Sequence, residues 1–173
     1  MDTTGFAFAV NGFSYRRYSF GYFLDSCLRM GVDRIELCGC HPQFTPYEAA
    51  AFDVKSLGAQ IRARGITVSA ILPEQNFLPV NIASAEEYFR KKSVEHIAFY
   101  LRAAGELDCD KVTVYPGKRR KDQPLSLAWN RAAESIAELQ EIARQNGVEI
   151  LLEPVSPFIS SLMPDIASLR RML

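Results

Sequence analysis

The stretch Val148-Glu149-Ile150-Leu151-Leu152-Glu153-Pro154 is a short apolar run that ends in a carboxylate and a proline. Its length and its branched residues are typical of a strand buried on both faces, as in a parallel sheet. Burying a lone ionised carboxylate costs several kcal/mol or more unless something pairs with it. A metal ion or a proton-transfer role explains Glu153 most directly, and a structural glutamate, as an N-cap or in a salt bridge, is the alternative.

Four similar apolar runs precede this one, and helical patterns separate them. The runs cover residues 6–10, 34–38, 66–72 and 111–115, and the helical patterns cover residues 20–30, 46–64, 85–104, 125–145 and 164–173. Regular alternation of strand and helix predicts a parallel sheet with crossover helices, either in an open doubly wound sheet or in a barrel. The first turn, Asn11-Gly12-Phe13-Ser14, is not a glycine-rich nucleotide fingerprint, and no phosphate-binding loop occurs. We therefore expect an α/β fold that is part of a (β/α)8 TIM barrel.

Length and charge narrow the class of protein. A complete barrel needs about 250 residues, so the 173 residues predict one incomplete barrel domain over 1–173, with about five βα units. The 20 basic and 20 acidic side chains balance, which argues against nucleic acid and membrane as partners. No apolar stretch reaches a membrane span, the amino terminus lacks the basic region of a secretory signal, and the four cysteines lie in core-like segments. A cytoplasmic location is the expectation.

In a barrel, the residues that carry function lie at the carboxyl ends of the strands. Glu153 is the candidate catalytic and metal-binding residue, and the candidate substrate-binding residues that follow strands two to four are His41, Glu74, Asn76 and Tyr115. Glu36 lies within its strand, so a structural role with a basic partner is expected. Cys38-Gly39-Cys40-His41 lacks the second ligand pair of a zinc site, and packed core thiols are the better interpretation.

Three segments together resemble the sugar phosphate isomerase/epimerase superfamily, whose members have a xylose isomerase-like barrel. They are Arg34-Ile35-Glu36-Leu37, Pro73-Glu74-Gln75-Asn76-Phe77-Leu78-Pro79-Val80-Asn81 and Leu152-Glu153-Pro154-Val155-Ser156-Pro157-Phe158. Within that superfamily the resemblance is nearest to the fructoselysine 3-epimerases, and it covers the first five strands. It implies a divalent metal (Mn, Zn, Co, Ni or Mg) bound by Glu153 and by residues of strands six to eight. Related epimerases commonly carry a second glutamate where this chain has Ile159.

The function expected from this resemblance is epimerisation or isomerisation of a ketose or fructosamine. Glu153 would exchange a proton with the sugar carbon through an enediolate, and a second carboxylate would act on the opposite face. The alternatives are a DNA-repair barrel like endonuclease IV and a non-catalytic remnant or interaction module. An unpaired fifth strand is a liability, so we expect a weakly stable, poorly active chain, or one completed by a homo-oligomer or by another chain.

Overall fold

In the computed structural model, residues 7–48 and 53–173 are described, and they form one parallel sheet flanked by helices. The strands are β1 Val10–Asn11, β2 Arg34–Gly39, β3 Thr67–Pro73, β4 Lys111–Val114 and β5 Glu149–Leu152. The helices are α1 Phe20–Arg29, α2 Val54–Arg62, α3 Glu87–Ala103, α4 Leu125–Gln145 and α5 Ile166–Met172. Strands and helices therefore alternate along the described chain as the sequence predicts.

The order of the strands in the sheet is the order in the sequence, β1-β2-β3-β4-β5, and every neighbouring pair is parallel. A doubly wound sheet places a later strand on the opposite side of its first strand, as in the orders 3-2-1-4-5-6 and 2-1-3-4-5, whereas a barrel adds each strand beside the previous one. The observed order therefore fits the barrel and not the doubly wound alternative.

The core lies between the sheet and the helices that cover its outer face. Phe23 and Leu24 of α1 are fully buried, as are Ile35 of β2, Ile71 of β3 and Leu101 of α3. Each strand places alternate side chains on opposite faces. In β2, Ile35 and Leu37 are buried with the helices, which directs Glu36 to the other face.

The first strand is much shorter than its apolar pattern predicts. Residues 7–9 belong to no strand, Phe8 is 65% exposed, and Phe6 lies outside the described residues. Val10 and Asn11 alone pair, with Ile35 and Glu36 of β2. In this register residues 7–9 lie level with Arg34, the first residue of β2, and with the residues before it. No described strand therefore pairs with them, and their apolar character is not sufficient to form a strand.

The second helix begins later than the helical pattern of residues 46–64 predicts, and residues 49–52 of that pattern lie outside the described residues. A short 3-10 turn covers Pro46–Glu48, and α2 begins at Val54. Its N-cap is Asp53, whose side chain accepts a hydrogen bond from the Lys55 N–H at 3.1 Å. The extended backbone of Asp53 prevents a continuous helix through this point, so the one helix expected from residue 46 is wrong. None of the helices in the described ranges is long and apolar enough to cross a membrane.

Candidate active site

A cavity of about 510 Å³ lies at the carboxyl ends of the strands, and we call it the strand-end cavity. Each of the five strands, or the turn that follows it, contributes a polar side chain to its wall. These residues are Asn11, Glu36, Glu74, Tyr115 and Glu153. The cavity has the size of an ordinary small-molecule site. The structure therefore brings together three of the expected site residues from separate parts of the chain, together with Asn76.

Glu153 directly follows β5, and its backbone N–H donates to the Val114 carbonyl of β4 at 3.1 Å. Its side chain is partly buried, and among the described residues its carboxylate has neither a hydrogen bond nor an ion pair. Burial and then the nearby charge of Glu36 raise the pKa of Glu153 above its usual range. A carboxylate that is held without a partner in a cavity has the character of a proton acceptor or a cation ligand rather than of a structural cap.

Glu36 is the residue that the sequence analysis misplaced. It lines the strand-end cavity, and its carboxylate accepts a hydrogen bond from the Asn11 side-chain amide rather than, within the described ranges, from an arginine or lysine. The reason is strand stagger: Glu36 lies in the middle of β2 but is level with Asn11, the last residue of β1. Strands of a barrel are offset in this way. The expected structural pairing of Glu36 in the barrel floor is therefore not observed.

Glu74 and Asn76 lie in the turn after β3. One carboxylate oxygen of Glu74 accepts the N–H of Asn76 at 2.5 Å and the N–H of Phe77 at 2.7 Å, which holds the turn closed. The Asn76 side-chain oxygen accepts from the Lys118 ammonium at 3.2 Å. Both residues line the strand-end cavity, so Glu74 shapes the wall while Asn76 places a polar group on it.

Tyr115 follows β4, and its backbone N–H donates to the Gln75 side-chain oxygen at 3.2 Å. Burial raises the pKa of Tyr115, and the negative charges of Glu153 and Glu36 raise it further. The phenol therefore stays protonated at neutral pH and can donate a hydrogen bond into the cavity. This is the property expected of a group that binds a sugar oxygen.

His41 lies in a neighbouring space rather than in the strand-end cavity. The second space, which we call the side chamber, has a volume of about 560 Å³ and is also lined by Arg16, Cys40 and Tyr47. Glu74 and Phe77 line both spaces and form the wall between them. His41 is thus separated from Glu153, and it can contact only a substrate that reaches past this wall.

An aromatic pair at the rim was not expected from the sequence. Phe13 and Phe77 stack with ring centroids 5.7 Å apart, and the Arg16 guanidinium lies 4.5 Å and 5.0 Å from the two centroids. Phe77 remains 66% exposed. The sequence around Phe77 does not predict this contact, because Phe13 lies in a turn that is distant in the sequence.

Ile159 lies in the cavity wall, whereas His96 lies in the core. Ile159 lines the strand-end cavity and gives it an apolar side. His96 is buried, stacks on Tyr47 and packs edge-on against Tyr100. His96 is therefore a buried packing residue of α3.

Comparison with known proteins agrees with this geometry. The family described as the xylose isomerase-like TIM barrel matches residues 24–173. Fructoselysine 3-epimerase of Escherichia coli O157:H7 is 26% identical over 134 residues, which cover 78% of this chain and 49% of that protein. A probable endonuclease 4 of Campylobacter concisus is 25% identical over 129 residues, which cover 73% of this chain and 44% of that protein. The chain thus spans about half the length of these curated relatives.

A solved structure with the same fold is that of a D-tagatose 3-epimerase-like protein. It superimposes with a TM-score of 0.81 at 23% identity, and the match covers 97% of this chain and 60% of that chain. The five parallel strands are therefore a large part of a xylose isomerase-like barrel, and the expected fold is confirmed. The similarity to fructoselysine 3-epimerase that the motifs suggested is confirmed as well.

Proposed function

Because the chain belongs to the xylose isomerase-like TIM barrel family, we propose that it acts on a ketose or fructosamine and exchanges a proton at the carbon next to the sugar carbonyl. Its similarity to fructoselysine 3-epimerase supports a reaction of the epimerase and isomerase class. The observation that supports the proposal most strongly is Glu153, a partly buried carboxylate without a partner among the described residues, facing a cavity of about 510 Å³.

The residues of this chain have distinct parts in the proposed reaction. Glu153 removes the proton from the sugar carbon, and its raised pKa makes its carboxylate a stronger base. Negative charge then develops on the substrate oxygens as an enediolate forms. The protonated phenol of Tyr115 donates to one of these oxygens, and Asn76 binds a hydroxyl of the sugar. Glu74 keeps the turn after β3 closed, and His41 contacts the part of a longer substrate that enters the side chamber.

The family implies a divalent metal, and the residues present fit one side of such a site. Glu153 and Glu36 share the cavity, and their mutual repulsion contributes to the raised pKa of Glu153. A cation would relieve this repulsion, with Glu153 as a ligand. Within residues 7–48 and 53–173, however, no three His, Cys, Asp or Glu side chains lie together as a metal site requires. A bound divalent metal would stabilise the developing oxyanion, and its other ligands would come from further strands.

The open edge of β5 supports a further part of the proposal. Among the described strands, β5 pairs with β4 alone, and residues 150–152 are only partly buried. We propose that a strand of a second copy or of another polypeptide pairs there, since an exposed edge favours such addition. Light scattering after size-exclusion chromatography should show a dimer or larger species of the pure chain at micromolar concentration. A stable monomer that unfolds cooperatively would contradict completion by self-association.

No feature of the described residues favours the DNA-repair alternative. A multi-zinc site needs several histidines, and the chain has two, of which His96 packs between Tyr47 and Tyr100. The 20 basic and 20 acidic side chains balance, so the net charge gives no support for binding a phosphate backbone. The epimerase-like reaction remains the one that the cavity supports best.

The proposed reaction can be tested by solvent deuterium exchange, which detects proton removal even when no epimer accumulates. D-tagatose and fructoselysine, incubated with the chain and Mn²⁺ in deuterium oxide, should lose the NMR signal of the proton at C3. Return of a deuteron to the same face needs Glu153 alone, so exchange should exceed the formation of epimer. If circular dichroism shows a folded chain and neither sugar exchanges its C3 proton, the proposed function is wrong.

A further inference from the structure

Cys38 and Cys40 form a close pair at the end of β2. Their Sγ atoms are 3.0 Å apart, because residues two apart in an extended segment place their side chains on the same face. Gly39 between them is held on two sides: its carbonyl accepts from the Tyr100 hydroxyl at 2.8 Å and from the Glu74 N–H at 3.3 Å. A Cβ at Gly39 would lie 2.6 Å from the Tyr100 ring. The packing thus fixes the segment that joins the two thiols.

The two thiols differ in their access to small molecules. Cys38 is fully buried, whereas Cys40 is 8% exposed and lines the side chamber. The chamber faces solvent, because Tyr47 and Phe77 in its wall are 65% and 66% exposed. A small reagent in the chamber therefore meets Cys40 first, with Cys38 directly behind it.

The surroundings favour the thiolate at Cys40. A hydrogen bond from the Cys38 thiol lowers the pKa of Cys40, and the positive charge of Arg16 lowers it further. The same hydrogen bond, together with burial, raises the pKa of Cys38. Burial raises the pKa of the two other thiols, Cys27 and Cys109. Since the thiolate is the nucleophile, Cys40 is the thiol of this chain that is prepared to react.

We propose that Cys38 and Cys40 form a reversible disulfide when hydrogen peroxide enters the side chamber. The Cys40 thiolate attacks one peroxide oxygen, the O–O bond breaks, and the departing hydroxide takes a proton to give water and a sulfenic acid on Cys40. The Cys38 sulfur then attacks the Cys40 sulfur, the S–O bond breaks, and the departing hydroxide takes the Cys38 proton. Two thiols and one peroxide thus give one disulfide and two waters.

This bond would form beside the wall that separates the two spaces. The Gly39 carbonyl accepts the N–H of Glu74, and Glu74 lines both the strand-end cavity and the side chamber. To reach the length of a disulfide, about 2.05 Å, the sulfur atoms must move about 1 Å closer from their separation of 3.0 Å. The proposal does not depend on the proposed function, because it concerns only the chemistry of the thiols.

The test is mass spectrometry of the folded chain after treatment with peroxide. Trypsin releases one peptide, residues 35–55, that carries both Cys38 and Cys40, while Cys27 and Cys109 lie in separate peptides. Peroxide should make the 35–55 peptide about 2 mass units lighter, dithiothreitol should reverse the change, and the reaction should be at least about ten-fold faster than any oxidation of Cys27 or Cys109. In urea this preference should disappear.

Two variants separate the roles of the thiols. The Cys38→Ser chain should keep a sulfenic acid on Cys40 that dimedone labels, and the Cys40→Ser chain should give no label in the 35–55 peptide. The proposal is overturned if the folded native chain keeps both thiols as long as it keeps Cys27 and Cys109. It is equally overturned if the unfolded chain forms the disulfide as quickly. These two comparisons use the unchanged chain, so they decide the matter even if a variant fails to fold.

Discussion

The Glu153→Gln variant is expected to exchange the C3 proton of the sugar substrate about 10²- to 10⁴-fold more slowly than the unchanged chain, which is the usual contribution of a general base. Glutamine keeps the shape of the side chain but cannot accept the proton. The effect should be large because the two other carboxylates that line the strand-end cavity already accept hydrogen bonds, Glu36 from Asn11 and Glu74 from the turn that follows it. NMR in deuterium oxide, with D-tagatose and fructoselysine as substrates, measures the two rates.

Glu149→Gln is the matched control for this variant. Glu149 is the first residue of the same strand, β5, and it is exposed at the opposite end from Glu153. The same chemical change there should leave the exchange rate within about two-fold of the unchanged chain, since exposed substitutions away from a site have small effects. Equal rates in the two variants would show that Glu153 is not the base.

A titration with Mn²⁺ separates the two roles proposed for Glu153. If Glu153 only bound a cation, saturating Mn²⁺ should restore the exchange rate of Glu153→Gln, because excess metal compensates for a weakened site. We expect no such recovery, because the carboxylate is also required to accept the proton. Full recovery at high Mn²⁺ would limit Glu153 to the role of a ligand.

Acidification is expected to destabilise the chain through His96, by roughly 3 kcal/mol between pH 7 and pH 4. Burial lowers the pKa of His96 to about 4, although its contact with the Glu74 carbonyl opposes this shift. Its Nε2 lies 3.1 Å from that carbonyl oxygen, and its Nδ1 has no partner among the described residues. The neutral ring is therefore the form that the folded chain accepts.

The sign of the effect follows from proton binding. In the unfolded chain His96 has an ordinary pKa near 6.5, so between about pH 6.5 and about pH 4 the unfolded state binds a proton that the folded state does not. Stability contributed by the neutral ring is complete above this window and is lost as the pH falls through it. No opposite charge among the groups packed on the ring, Tyr47 and Tyr100, compensates for protonation.

Urea unfolding followed by circular dichroism at pH 7, 5.5 and 4 measures this loss. The His96→Gln variant provides the comparison, because glutamine can still donate to the Glu74 carbonyl but does not titrate. Its free energy of unfolding should fall by roughly 3 kcal/mol less than that of the unchanged chain over the same interval. Parallel pH dependences in the two chains would rule out His96 as the source, since other carboxylates contribute equally to both.

Much of the fold could be predicted from the sequence because its signals are local. The pattern of residues 125–145 predicts α4 with the bounds that the structure shows, and the pattern of residues 20–30 predicts α1 to within one residue. Hydrophobic periodicity and capping depend on residues within a few positions of one another. Two segments differ because their neighbours decide their structure. Residues 7–9 have an apolar pattern but no partner among the described strands, and α2 begins after Asp53 rather than at residue 46.

The residues of the candidate site could be predicted only where their position at the end of a strand could be recognised from the local sequence. Glu153 could be recognised because it ends an apolar run, where burying an unpaired carboxylate costs free energy. Tyr115, Glu74 and Asn76 followed from the rule that strand ends meet. Phe13 and Phe77 could not be paired in advance, because nothing near either residue in the sequence specifies contact with the other.

The sequence by itself determined the alternation of strands and helices, the parallel sheet and the carboxylate at the end of β5. The tertiary structure alone decided that Glu36 is level with Asn11 and that His41 lies in the side chamber, behind the wall that Glu74 helps to form. It also decided that the Tyr100 hydroxyl donates to the carbonyl of Gly39, which lies between the two thiols. Periodicity and capping act over a few residues, whereas stagger and the walls of a cavity result from packing summed over the whole core. Glu153 could therefore be recognised from its own strand, but its surroundings could not.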